Sequence, residues 1–250
     1  MIAGSDSLVV EFLGMPGSGK TTLARRVAEA LGQRGIHAYQ TNQFTVKRKS
    51  SQIGRVSSLA SFLLGNPMYS LLCARAIVES RQRSMRDLVL VFRSWFVNSH
   101  RTSQFSGSAG LYLVDQGIFQ STWQVAFSAR RPEPVRLIEK IGSLIPVPHI
   151  VVIVEASLAT VARRLTERHA VNRINAPHAI SRIEVEFPND AQLLPRSFEL
   201  LRQIKGAVIR MSATREDLRV LIVDNEQDGD LEEGMRRVVE AVLSYPSLSR

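Results

Sequence analysis

The chain reads as an α/β fold: a parallel sheet covered by helices on both faces. Three observations predict it. Five short runs, 8–13, 36–40, 111–114, 150–154 and 220–223, are mostly unbroken in Val, Ile and Leu. A strand with one wet face alternates, whereas a parallel strand covered on both sides does not need to. Segments with helical spacing lie between the runs, as in 21–33, where Leu23, Val27, Ala30 and Leu31 share a face. Strand and helix therefore alternate along the chain, which points to a doubly wound sheet with right-handed crossovers.

In chain order, the first run leads through a glycine-rich turn into the helix 21–33, and the second run follows. The stretch 51–106 then separates the second and third runs, with helices expected around 55–64, 67–83 and 86–101. That is more than a crossover needs, so a helical flap over one end of the sheet is expected. Residues 107–110 form a turn. Pro132, Pro134, Pro146 and Pro148 bracket a helix near 135–144. After the fourth run Ser157 is placed as the N-cap of a helix over 157–169. Residues 170–190 hold Asn172, Asn175, Pro177, Pro188 and Asn189 and read as a mobile loop. The fifth run is followed by a helix over 231–243. With no internal repeat and no low-complexity tract, one domain over 1–250 is expected.

Composition narrows the class. The 250 residues are 44% apolar and 22% charged, which excludes a disordered or fibrous chain. The net charge is +9, carried by 27 Arg and 5 Lys. Arginine suits bidentate recognition of phosphate. Such a balance fits nucleic acid, an anionic membrane surface or a phosphorylated small substrate, and equally a bias towards Arg codons. No basic run exceeds Lys47-Arg48-Lys49, and no basic strand is studded with aromatics, so nucleic acid is disfavoured. The lone Cys73 supplies neither an internal disulfide nor a zinc cluster. Residues 1–6 lack a basic start and an apolar run, and no apolar run approaches the roughly 20 residues that span a bilayer. A cytoplasmic protein without a membrane span is expected. The oligomeric state is left open, a homodimer included.

One motif carries chemistry. Gly14-Met15-Pro16-Gly17-Ser18-Gly19-Lys20-Thr21, continued by Thr22, fits G-x-x-x-x-G-K-[ST], after an apolar strand and at the opening of a helix. Glycines let the backbone curl so that successive N–H groups face phosphate oxygens. The helix that follows adds its positive end. Lys20 is placed to reach the β- and γ-phosphates, and the Thr21 hydroxyl to ligate Mg2+. A chance match in a chain of this composition has odds on the order of a few in a thousand, and the flanking strand and helix lower them further. The loop predicts binding of ATP with Mg2+.

This loop resembles the start of P-loop nucleoside and nucleotide kinases, the thymidylate kinase group among them. Leu111-Tyr112-Leu113-Val114-Asp115 is similar to the strand that ends in that family's catalytic acid. The fourth run, with Ser157-Leu158-Ala159-Thr160 and Arg163-Arg164-Leu165-Arg168, is similar to its fourth strand, helix and lid arginines. Val220 to Asn225 with Leu231-Glu232-Glu233 is similar to its last strand and closing helix. The resemblance implies the three-layer P-loop NTPase fold, a five-stranded parallel sheet of order 2-3-1-4-5, with a helical insertion over 51–106 and a lid over 163–190. It implies transfer of the ATP γ-phosphoryl group to a small acceptor, a nucleoside or nucleoside monophosphate. Asp115 would take a proton from the acceptor hydroxyl or hold Mg2+, together with Thr21. Arg164 and Arg168, four apart on one helix face, would clamp phosphate oxygens with Arg173 and Arg182. Acceptor contacts are expected among Arg75, Arg93, Trp95, Phe96, Gln116, Phe119 and Gln120. The chain departs from the family where Gln116 follows the acid in place of Arg or Glu, and Thr41-Asn42-Gln43-Phe44 lacks a thymidylate-acceptor motif. The acceptor therefore stays open.

Other P-loop classes fit less well. No Lys is followed two residues later by Asp, so the guanine-reading motif of GTPases is missing. A motor-type ATPase usually has Glu after the strand-ending Asp, and Gln116 cannot be a base, although it could orient water. A non-kinase ATP-binding protein and a kinase of nucleic-acid ends remain as alternatives.

Overall fold

Alternation along the first strand divides the molecule into layers. In the computed structural model, which describes residues 7–40, 52–106, 108–141, 147–175, 190 and 192–246, β1 (Ser7–Gly14) is buried along its whole length. Successive side chains of a strand point to opposite faces. Leu8, Val10 and Phe12 enter one core with Leu23, Val27 and Leu31 of α1 (Lys20–Gln33) and Val238, Val239 and Val242 of the last helix. Leu13 enters the other core, against the remaining helices.

The strands are β1, β2 (Ala38–Gln40), β3 (Gly110–Val114), β4 (Ile150–Glu155) and β5 (Arg219–Asp224). They form one parallel sheet in the order β2-β3-β1-β4-β5. This is the order that the family resemblance implies. Between β2 and β3 lie α2 (Gln52–Gly65), α3 (Pro67–Glu79) and α4 (Met85–Ser106). After β3 come α5 (Ile118–Ser128) and α6 (Pro134–Ile141). After β4 come α7 (Leu158–Asn175) and α8 (Leu193–Ala213), and α9 (Asp228–Leu243) follows β5. Helices cover both faces, so the architecture is three-layered.

Two local expectations need correction. The helix expected over 67–83 ends at Glu79, because Arg81 takes a left-handed φ of 51° that a continuing helix excludes. The helix expected near 135–144 is present over Pro134–Ile141, and 142–146 lie outside the described residues. The loop expected from 170 is helical through Asn175, and 176–189 lie outside the described residues. Two helices were not anticipated at all, α5 and α8. Residues 41–51, with the segment Thr41 to Phe44, also lie outside. Among the described residues no single helix is long and apolar enough to cross a membrane; one pair passes that test only jointly, bent by 101°.

Candidate active site

The glycine-rich turn sits where the fold brings three elements together. Between β1 and α1 the chain turns through Gly17 and Gly19 at φ +87° and +93°, a region that favours glycine. A side chain at Gly19 would run into Asn225, just after β5, and one at Gly17 would meet Leu165 of α7 at 3.3 Å. The loop is tied from outside: Asn225 Nδ2 donates to the Ser18 carbonyl at 2.6 Å, and the Gly14 N–H donates to Gln120 Oε1 at 3.2 Å. Ser18 is buried and its Oγ has no hydrogen-bond partner. An orphaned hydroxyl inside such a turn fits a ligand that brings oxygen atoms to it.

Two loop side chains face the end of β3. Thr21 Oγ1 donates to Asp115 Oδ2 at 3.5 Å, so the hydroxyl and the carboxylate share one small space. Two oxygen donors at that separation suit a hard cation such as Mg2+. Lys20 is partly buried, and its Nζ donates to the Met15 carbonyl at 3.3 Å. Burial pulls its amine down to about 8; the Asp115 charge opposes this, and the Arg168 charge adds to it. Lys20 is therefore not a freely exposed side chain of the loop.

The arginines divide. Arg168 bears on Lys20. Arg164, one turn earlier on α7, bears on Glu226 beyond β5, and its buried Nη1 has no hydrogen-bond partner. Glu226 accepts from Thr160 Oγ1 at 2.8 Å, from Ser157 Oγ at 3.0 Å and from the Ser157 N–H, which hold it below the usual carboxylate range. Ser157 Oγ in turn accepts the Thr160 N–H at 3.2 Å, the N-cap expected from sequence. Arg173 lies in α7 but its side chain, like all of Arg182, is outside the described residues.

Of the expected acceptor contacts, few reach the mouth of the site. Gln116 is exposed beside Asp115. Trp95, Phe96 and Phe119 belong to the core. Gln120 is buried and serves the loop. Arg75 is exposed and pairs with Glu79. Arg93 is exposed on α4, eight residues and therefore about 12 Å of helix before Arg101. Arg101 is the residue that sequence reasoning missed: it is half-buried, and burial holds its guanidinium below the ordinary value while the Asp115 charge acts the other way. Its one signal was its place near the end of a helix that precedes the acid-bearing strand. Behind the loop a cavity of about 420 Å³ lies between Met15, Ala156, Phe198 and Leu201; Glu199 and Arg202 at its edge pair with each other.

No family model matches the chain. Over 164 residues it is 27% identical to a probable thymidylate kinase of Caldivirga maquilingensis, a match covering 64% of this chain and 69% of that one. Over that span the chain is similar to a thymidylate kinase-like P-loop kinase. Against the crystal structure of thymidylate kinase from Ehrlichia chaffeensis, the chain aligns over 96% of its length and 99% of the other chain, at 12% identity and a TM-score of 0.46.

Proposed function

We propose that the chain transfers the γ-phosphoryl group of ATP to a nucleoside monophosphate or nucleoside. The observation that carries this reading is the meeting of Thr21 and Asp115 at 3.5 Å beside Lys20, at the mouth of a loop built on left-handed glycines. When bound, ATP supplies the transferred group and Mg2+ neutralises its charge. Thr21 and Asp115 hold the metal, and Lys20 holds the phosphate oxygens. Asp115 stands where it can also accept the proton of an attacking hydroxyl. Arg168 brings positive charge to the lysine's side of the site, and Arg101 offers a cation on the acceptor's side of Asp115. An acceptor that already carries a phosphate suits Arg101, and the curated relative's name suggests thymidylate.

The exposed Gln116 favours a second reading, water activation by an ATPase, because a glutamine can orient water without removing its proton. ADP release separates the two. The protein is incubated with ATP and Mg2+, with and without thymidylate, other nucleoside monophosphates, nucleosides, and sugar or antibiotic alcohols. Stimulation by one acceptor, with the phosphorylated product found by mass, is expected. ATP turnover that no acceptor stimulates would establish the ATPase instead.

A further inference from the structure

A carboxyl group, Glu11, interrupts the otherwise apolar run of the central strand. Glu11 on β1 is 1% exposed, and its flanking residues on the strand, Val10 and Phe12, are core. Its strand neighbours in register are Val114 of β3 and Val151 of β4, so it sits at the centre of the sheet. A buried carboxyl without partners would be costly there. Glu11 has partners, and they are backbone. Oε2 accepts the Ile118 N–H at 3.0 Å and Oε1 the Gln120 N–H at 2.9 Å. These are donors of the first turn of α5 that have no partner within the helix. Gly117 is the close approach that makes this possible, since a side chain there would occupy the space of the Glu11 carboxyl.

Both ends of this contact lead to the site. The donors follow directly on Asp115 and Gln116, so the carboxyl fixes the turn that leaves β3. Gln120, held by its N–H, turns its Oε1 to the Gly14 N–H at 3.2 Å, the first residue of the phosphate loop. One side chain therefore ties the segment bearing Asp115 to the loop bearing Lys20 and Thr21. A second tether reinforces the turn: Asn98 Nδ2 of α4 donates to Ser121 Oγ at 2.9 Å, and Ser121 Oγ donates to the Gly117 carbonyl at 2.8 Å.

We propose that Glu11 is a positioning residue for phosphoryl transfer, holding the Asp115 turn and, through Gln120, the phosphate loop at a fixed separation. The proposal rests on the kinase reading above. Misplacement of reacting groups by about 1 Å can cost on the order of a hundredfold in rate.

The test uses the full chain, the variants Glu11→Gln and Gln120→Met, and three readouts: amide hydrogen exchange, affinity for a fluorescent ATP analogue, and kcat and KM with the acceptor found above. Glu11→Gln keeps the shape but replaces one acceptor with a donor facing an N–H. Expected is faster exchange confined to 14–18 and 115–121, with β4 unchanged, and kcat lowered roughly tenfold or more while KM for ATP moves less than about threefold. Gln120→Met cuts only the link to Gly14; faster exchange at 14–18 and weaker analogue binding are expected. It also keeps the proposal testable if Glu11→Gln does not fold. Wild-type exchange and kcat in both variants would overturn the proposal, as would exchange that rises equally in β4, since that is a general loss of stability. If the wild-type protein phosphorylates no acceptor, the kinase reading fails by itself, and unchanged exchange then overturns the tether independently.

Discussion

Burial weakens the charge of the Lys20 amine beside the Asp115 carboxylate, and this gives its removal a distinctive outcome. Burial has already drawn the amine down to about 8, so the folded chain gains little from its charge. Lys20→Met is expected to leave the thermal midpoint unchanged or higher while phosphoryl transfer falls at least about a hundredfold, read by calorimetry and by product formation. Asp115→Asn is expected to lower kcat about a hundredfold with ATP-analogue affinity in the absence of metal nearly unchanged. Arg101→Ala is expected to raise the acceptor KM about tenfold or more and to leave the ATP KM alone; a change confined to the ATP KM would move Arg101 to the donor side. Lys20, Thr21 and Asp115 were legible in the sequence because phosphate chemistry demands those residue types at fixed spacing from a strand. Glu11, Arg101 and Asn225 were not. Each acts on a residue at least 14 positions away, and apart from Arg101's place on the helix before the acid-bearing strand nothing in the neighbouring sequence marks such a contact.

Elements place these groups, and their ends are where they are most vulnerable. Gly19→Ala forces an alanine to φ near +93° and against Asn225, so loss of ATP-analogue binding is expected even where the chain still folds. Ser157→Ala removes the N-cap of α7 and is expected to cost about 1 kcal/mol in chemical denaturation. The start of α5 gives a pH dependence. Burial raises Glu11 from 4.5 to about 8, against the opposing N–H groups of Gln120, Ile118 and Phe119. Between pH 4.5 and about 8 the folded chain holds a proton that the unfolded chain has lost, so this contribution to stability falls as pH rises through that window and levels off above it. Glu11→Gln should flatten that slope in denaturation measured from pH 5.5 to 8.5; an unaltered slope would mean that Glu11 is not its source. The strands were readable because they are continuous apolar runs, and α1 because its apolar face repeats. Helix α5 was missed because it is buried on nearly every side, so its sequence shows no polar stripe. Helix α8 carries a readable stripe, Leu193, Leu194, Ser197, Leu200, Leu201 and Ile204, hidden behind the Pro- and Asn-rich stretch before it.

At the scale of the whole molecule, charge and topology answer different questions. The charge of +9 remains after every acid is counted, and it is dispersed: no basic run is longer than three residues, and several arginines pair locally along helices, among them Arg75 with Glu79, Arg163 with Glu167, Arg202 with Glu199 and Arg236 with Glu233. Oligonucleotide binding is expected to be weak and to vanish by roughly 0.2 M salt, in a filter or polarisation assay. Binding that persists above that would reopen a nucleic-acid substrate. The parallel sheet places Gly14, Asp115 and Asn225 at the same end of β1, β3 and β5, and that end is where open parallel sheets hold ligands. The most direct measurement follows [γ-labelled] phosphate from ATP, with Mg2+ and the acceptor panel, in wild type and Asp115→Asn. The account predicts label on a nucleotide or nucleoside acceptor in the wild type and its near-complete loss in the variant. Label that passes only to water, or transfer that survives Asp115→Asn at the wild-type rate, would contradict it.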